Sequence, residues 1–219
     1  MQLCISLVIM DANDILKRYA AGNRHFLQMS LQRVNLNDIC LVGINFGQSN
    51  LSGANLSGAC LRGANLNEAK LVETTLWRTD LRDSLLIWAD LSKACLIRAI
   101  LTKADLHNAI LTRADLRLAD LRYADLGNAN LEGADLRYAD LTGANLAGAN
   151  LSKTNLTGAN LSKVDLYNAN MSKAVLSRTD LRYADISCTN IDGIDLCDVN
   201  LSGACLPESL FSYALELTN

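Results

Sequence analysis

The chain has 219 residues, of which 50% are apolar but only 5% aromatic, and its formal net charge is −3. A charge so close to zero gives no general attraction for nucleic acid or for an anionic membrane surface. No stretch approaches the roughly eighteen consecutive apolar residues that a membrane-spanning helix needs. The composition therefore favours one domain with a narrow core that accommodates Leu and Ala but few larger side chains.

The first predicted segment is an N-terminal extension, residues 1–10. It is apolar, but it is short, lacks a basic start and has no small-residue cleavage site, so it does not have the pattern of a signal peptide. Met10 is a candidate true start of the protein. We therefore expect a cytoplasmic location.

A short helix is predicted next, within an N-terminal cap of residues 11–25. Asp11 or Asn13 can cap its start, and Ile15 and Tyr19 lie on one apolar side of it. Such a helix would cover the beginning of the repeat that follows, where core side chains and unpaired strand edges would otherwise be exposed.

A strict five-residue repeat fills most of the chain. From Leu31 to Leu206 every fifth residue is large and apolar without a break, and these thirty-six positions hold thirty-two Leu with Phe46, Met171, Ile186 and Ile191. The residue two positions earlier is most often Ala, and Asp or Asn usually lies between the two. A period this short means that each unit buries its apolar side only against its neighbours.

The period of five excludes an α-helix and requires one bend in every unit. Side chains alternate along an extended chain, so the Leu and the Ala two residues before it share one side. Because five is odd, the chain must bend in the two residues after the Leu. Ten of the thirteen glycines occupy the second of these positions, where a type II turn requires positive φ. The Asp or Asn before the Leu can accept hydrogen bonds from nearby amides.

The unit A(D/N)LXX, as in residues 134–138, resembles the pentapeptide repeat family over about four fifths of the chain. The resemblance implies an all-β fold, a right-handed quadrilateral parallel β-helix with short terminal capping helices. Four pentads would form one coil with Leu and Ala inside, giving about nine coils over residues 26–206. The segment from Ile15 to Phe26 is also similar to the helical lead-in of cyanobacterial members.

A C-terminal cap is predicted over residues 207–219. Pro207 is the single proline, Pro suits the first turn of a helix, and an amphipathic run follows it. This helix either covers the end of the column or pairs with a second copy. The chain is therefore expected to be a monomer or a C-terminally paired homodimer.

No catalytic activity, cofactor or metal site is predicted. The two histidines, His25 and His107, lie about four coils apart, so no Ser/His/Asp or Cys/His arrangement can be assembled. The seven cysteines include no Cys-x-x-Cys pair, and an odd, scattered set is typical of a reducing compartment. Cys40 and Cys60, one coil apart, would stack within disulfide range, but the expected compartment favours free thiols.

The outward residues after each Leu carry the functional signal. They hold sixteen of the twenty Lys and Arg residues. In twenty-residue coils one side would stack Trp and Tyr with several Arg, the residues enriched in interface hot spots, and Trp88 would lie on the opposite side. The candidate protein-binding residues are Trp77, Arg78, Trp88, Ile97, Arg98, Arg117, Leu118, Arg137 and Tyr138.

The predicted function is a non-enzymatic protein–protein interaction scaffold that binds a regulatory protein. The resemblance supports this, because filamentous cyanobacteria use such proteins to control cell differentiation. One alternative is a DNA mimic that protects or inhibits a type II topoisomerase, but the basic outer turns weigh against it. A second alternative is nucleic-acid binding through a basic stripe, the Lys and Arg residues of the outward turns between Leu91 and Ile186. The turn Asp residues lie within a Debye length of that stripe and disfavour this alternative.

Overall fold

The computed structural model describes residues 10–208 and 210. Within them the chain forms the helix α1 (Ala12–Ala20), followed by a column of stacked coils. Residues 1–9 of the predicted extension, and residues 209 and 211–219 of the predicted C-terminal cap, lie outside the described residues. No helix in the described part is both long enough and apolar enough to cross a membrane.

The column is built from parallel bridges that join residues twenty positions apart. They run from His25–Asn45 to Asp185–Cys205, so each coil contains four pentads. Every pentad except that of Leu196 contributes one bridge residue, the residue before the central Leu, rather than a longer strand. Backbone hydrogen bonds of the bridge residue and of the central Leu tie the pentad to both neighbouring coils. Asp125 N donates to Ala104 O at 2.9 Å, while Leu126 N donates to Asn145 O at 2.7 Å.

The Leu and Ala positions fill the inside of the column. Every central residue from Leu31 to Ile186 is at most 2% exposed. Where Ser or Thr replaces the Ala, its hydroxyl donates to a backbone carbonyl, as Thr79 Oγ1 does to Leu56 O at 2.8 Å. Among the described residues no buried side-chain polar atom lacks a hydrogen-bond partner. The core is therefore apolar, as the sequence pattern predicts, and its few buried polar side chains are all hydrogen-bonded.

The turns have positive φ whether or not glycine is present. The ten repeat glycines have φ between 60° and 73°, but twenty-five non-glycine residues in the equivalent position have φ between 54° and 60°. Two sets of bonds hold this conformation. In the pentad after Leu131, Ala134 N donates back to Leu131 O at 2.9 Å. Asn55 Oδ1 likewise accepts from Ser57 N at 3.1 Å, the local bond expected for Asp and Asn. These bonds outweigh the ordinary preference for glycine.

Helix α1 lies on the first coil. Of the two predicted caps Asp11 is the one used, since its Oδ1 accepts from Asp14 N at 2.8 Å. Ile15 is fully buried, and the Tyr19 hydroxyl donates to Val42 O at 2.9 Å. The guanidinium of Arg24 lies 3.7 Å from the centre of the Tyr19 ring. One buried side chain and one long-range hydrogen bond thus attach the helix to the column.

The other end of the column is less well covered. The central residues Ile191, Leu196, Leu201 and Leu206 are only half-buried, because no further coil within the described part stacks on them. After Pro207 the described residues Glu208 and Leu210 are helical, and Leu210 N donates to the Pro207 carbonyl at 3.1 Å.

Candidate protein-binding surface

The outward turns form four corners that run along the column, one for each pentad of the coil. Residues twenty apart follow each other along a corner. Arg98 N donates to Arg117 O, and Leu118 N donates to Arg137 O, both at 3.0 Å. Eight of the nine candidate residues therefore share one corner. We call this set the Trp77 corner: Trp77, Arg78, Ile97, Arg98, Arg117, Leu118, Arg137 and Tyr138.

A groove of about 320 Å³ lies on the Trp77 corner. Its lining consists of Ile97, Arg117, Leu118, Arg137 and Tyr138. Leu118 is 47% and Tyr138 is 58% exposed, so the groove presents apolar surface to solvent. The structure thus places two aliphatic side chains, an aromatic ring and two guanidinium groups around one groove, and Tyr and Arg are enriched in interface hot spots.

The two arginines of the groove are held by neighbouring carboxylates. Arg117 donates from Nε and Nη2 to Asp115 at 2.8 and 2.7 Å, and Arg137 donates to Asp135 at 2.9 and 2.7 Å. These hydrogen bonds raise the pKa of both guanidinium groups above the ordinary arginine value. Burial alone raises the pKa of Asp135, but the bonds from Arg137 and the charge of Arg117 outweigh it, and the net pKa is lowered. Both arginines are therefore fixed in place with their charge compensated.

The free positive charge of the Trp77 corner comes from Arg78 and Arg98. Neither forms an ion pair with any residue in 10–208 or 210. The Arg78 guanidinium lies 5.1 Å from the centre of the Trp77 ring, a cation–π arrangement. The corner therefore carries two uncompensated cations beside an exposed tryptophan.

Tyr138 is positioned by a glycine in the next coil. A Cβ atom on Gly158 would lie 2.6 Å from Tyr138 Cε1, so the ring lies directly against the Gly158 backbone. The same arrangement joins Tyr123 to Gly143, and it recurs near the end of the column. This contact was not predicted from the sequence, although a glycine twenty residues after each of these three tyrosines was the available signal.

We expect Gly158→Ala to displace the Tyr138 ring and to lower the free energy of unfolding by about 1–2 kcal/mol more than Gly63→Ala does. Both glycines have positive φ, but the space around Gly63 is open, so Gly63→Ala reports backbone strain alone. Urea unfolding measures the difference. In a Tyr138→Ala background the two substitutions should cost the same, and an unchanged difference would contradict the contact.

The ninth candidate, Trp88, is not part of the Trp77 corner. It lies half a coil away, on the opposite corner, and is 63% exposed. Leu85 precedes the same turn and is 41% exposed, and Ile87 within the turn is half-buried. Ile110, 39% exposed, lies in the next coil as the bridge partner of Asp90. We call these four residues the Trp88 corner. Ile110 was not predicted as part of this surface, although its apolar side chain in an Asp/Asn position was the available signal.

Many of the basic turn residues form ion pairs with nearby carboxylates. Five arginines each form a bidentate pair with the Asp two residues earlier, with closest distances of 2.6–2.7 Å: Arg82, Arg117, Arg122, Arg137 and Arg182. Two lysines also pair with glutamates, Lys93 with Glu73 and Lys153 with Glu132. The turns therefore present less free positive charge than a count of basic residues suggests.

The cysteines and histidines form no site in the described part of the chain. Cys40 and Cys60 are bridge partners in adjacent coils, and both are free thiols. His107 Nδ1 lies 3.9 Å from one Asp125 carboxylate oxygen. Residues 10–208 and 210 contain no group of three or more His, Cys, Asp or Glu side chains that could hold a metal ion.

Comparison with known proteins gives a consistent picture of the repeat. A family model for pentapeptide repeats matches, in 8 copies, residues 30–67, 64–102, 99–137, 139–178, 159–198 and 174–212. No curated protein gives a significant match.

Three solved structures show the range of the similarity. HetL of Nostoc sp. strain PCC 7120, involved in heterocyst differentiation regulation, is 36% identical over 89% of this chain and 96% of its own, with a TM-score of 0.46. Alr5209 of the same organism is 37% identical over 46% of this chain and 80% of its own, with a TM-score of 0.43. QnrB1, a plasmid-mediated fluoroquinolone resistance protein, is 18% identical over 89% and 97%, with a TM-score of 0.49.

Proposed function

The chain belongs to the pentapeptide repeat family, and from that premise we propose that it is a non-enzymatic interaction scaffold that binds a regulatory partner protein through the Trp77 corner. On this proposal the column is the right-handed quadrilateral β-helix of the family, spanning residues 26–206. An N-terminal extension (1–10) and cap (11–25) precede it, and a C-terminal cap (207–219) follows it. The free thiols along the column fit a cytoplasmic location.

The groove of the Trp77 corner carries the proposal. Leu118 and Tyr138 offer apolar surface, and the bidentate pairs hold Arg117 and Arg137 in fixed orientations. Side chains that are already ordered lose little conformational entropy when a partner docks, so more of the contact energy remains as affinity. The turn positions also lie outside the Leu/Ala core, so binding requires no rearrangement of the fold.

The arginine–aspartate pairs weigh against both alternative functions. A DNA mimic presents rows of uncompensated carboxylates, but Asp80, Asp115, Asp120, Asp135 and Asp180 are each paired with an arginine. Nucleic-acid binding needs free cations to displace counterions from phosphates, and the same pairs remove five of them. A protein partner with apolar side chains suits this surface better.

We expect Trp77→Ala combined with Arg98→Ala to weaken partner binding by at least about 2 kcal/mol, the scale of an interface hot spot. The experiment captures proteins from native cell extract on the immobilised chain and then measures the affinity of the captured partner for each variant. Circular dichroism and thermal melting should remain nearly unchanged, because both side chains lie outside the core.

The matched control is Lys153→Ala with Lys173→Ala, which changes two turn residues on a different corner. This variant should retain the partner. Equal losses from the two double variants would mean that binding is diffuse electrostatic attraction, and the proposed surface would then be wrong.

A further inference from the structure

The two apolar corners lie at the same level of the column and face opposite ways. Trp77 and Trp88 are eleven residues apart in a coil of twenty, so they lie about half a coil from each other. Both are large, exposed side chains in an otherwise tryptophan-free chain. A protein that binds to one corner alone therefore leaves the other corner accessible.

The charges around the two corners are opposite. The Trp77 corner has the uncompensated cations Arg78 and Arg98. Around the Trp88 corner lie three carboxylates, one in the coil before, one beside Trp88 and one in the coil after: Glu68, Asp90 and Asp105.

The groups that donate hydrogen bonds to these carboxylates are uncharged. Gln48 Nε2 donates to Glu68 at 3.1 Å, the amide and hydroxyl of Ser92 donate to Asp90, and the amide of His107 donates to Asp105 at 3.0 Å. Lys70 is the bridge partner of Asp90 in the coil before, so one lysine lies among these three carboxylates. The Trp88 corner is therefore apolar, and the carboxylates around it outnumber the cations.

We propose that the Trp77 corner of one copy docks on the Trp88 corner of a second copy. The inference rests on the proposed function, since it takes the Trp77 corner as a binding surface and names a second copy as a partner. Contact between two Trp77 corners would oppose like cations, and contact between two Trp88 corners would oppose like carboxylates. Only contact between a Trp77 corner and a Trp88 corner brings apolar surfaces together with complementary charge. The complementary charge also fixes the register of the contact.

This pairing generates a line of molecules rather than a closed dimer. Because the two surfaces are different and face opposite ways, each copy can bind one neighbour on each side, and such heterologous contacts propagate. The columns would lie side by side with their axes parallel. The predicted C-terminal pairing is a separate contact at the end of the column and does not use either corner.

Trans-complementation tests the proposal. One variant removes the cations, Arg78→Asn with Arg98→Asn; the other removes the acidic and aromatic groups, Glu68→Asn with Trp88→Asn. All four positions have positive φ, and Asn108 and Asn128 already occupy the equivalent turn position, so the fold should tolerate the changes. Lys153→Asn with Lys173→Asn serves as the matched control.

Sedimentation velocity over a wide concentration range gives the readout. The parent chain and the control should associate, and added salt should weaken the association. Each corner variant alone should associate at least about tenfold more weakly than the parent. A mixture of the two variants should form a 1:1 dimer that grows no further, because one intact surface of each kind remains.

A monomeric parent at all concentrations would overturn the proposal. So would association of either corner variant at the strength of the parent, or a mixture that fails to form the 1:1 dimer. None of these results bears on capture of a regulatory protein by the Trp77 corner, which the Trp77→Ala and Arg98→Ala experiment tests by itself. Loss of capture in that variant with a monomeric parent would retain the proposed function and reject self-association.

Discussion

Leu126→Asp is expected to unfold the protein or to lower its free energy of unfolding by more than about 4 kcal/mol. Leu126 is completely buried, and its neighbours along the inside of the column are other Leu and Ala side chains. A carboxylate there would be removed from water without a charged or hydrogen-bonding partner. Each coil also rests on the next, so a disrupted middle coil exposes the cores of both halves.

The comparison variant is Arg122→Ala, four residues away on the outside of the same coil. Arg122 pairs with Asp120 at 2.7 Å, but 49% of its side chain is exposed, and exposed pairs contribute little to stability. Thermal melting of the two variants should therefore differ widely. Similar melting temperatures would contradict the assignment of Leu126 to the inside and of Arg122 to the outside.

Removal of residues 1–25 is expected to produce an aggregating protein. The deletion removes α1, including the buried Ile15 and the hydrogen bond from Tyr19 to Val42. It also removes the bridge partner of Asn45 and exposes Phe26, which contacts Phe46 with ring centres 5.9 Å apart. Unpaired backbone and open apolar surface at the end of a β-structure are a template for association.

The control for this prediction is removal of residues 1–9 alone, which leaves Asp11 and the whole of α1 in place. That product should remain monodisperse by light scattering over the same concentrations. A soluble, monodisperse chain lacking residues 1–25 would show that the first coil needs no cover.

Inside and outside could be assigned from the sequence because the pattern is local and strict. The period of five determines which residues face the core, and the central residues up to Ile186 are indeed buried. The acceptor role of Asp and Asn was also visible, since it depends on an amide two residues away. The coil length could not be assigned from the pattern alone. It came from the resemblance to the pentapeptide repeat family, and the bridges twenty residues apart agree with it.

Glycine was a less reliable signal than the period. Glycine is the residue expected where φ is positive, yet arginine, lysine and tyrosine have positive φ in the same turn position. The intrinsic preference of one residue is weak compared with the hydrogen bonds that a coil forms with its neighbours. Local propensity therefore indicated where the turns are but not which residues can occupy them.

The properties of the outer surface were decided by the tertiary structure. A list of basic residues could not distinguish Arg117, held by Asp115, from Arg98, which has no ion-pair partner in the described residues. The sequence places Gly158 twenty residues after Tyr138, but only the structure shows that the tyrosine ring lies against the Gly158 backbone. The core repeats every five residues, so sequence alone defines it. The surface depends on side-chain orientation and on neighbours twenty residues away, and only the stacked coils bring those groups together.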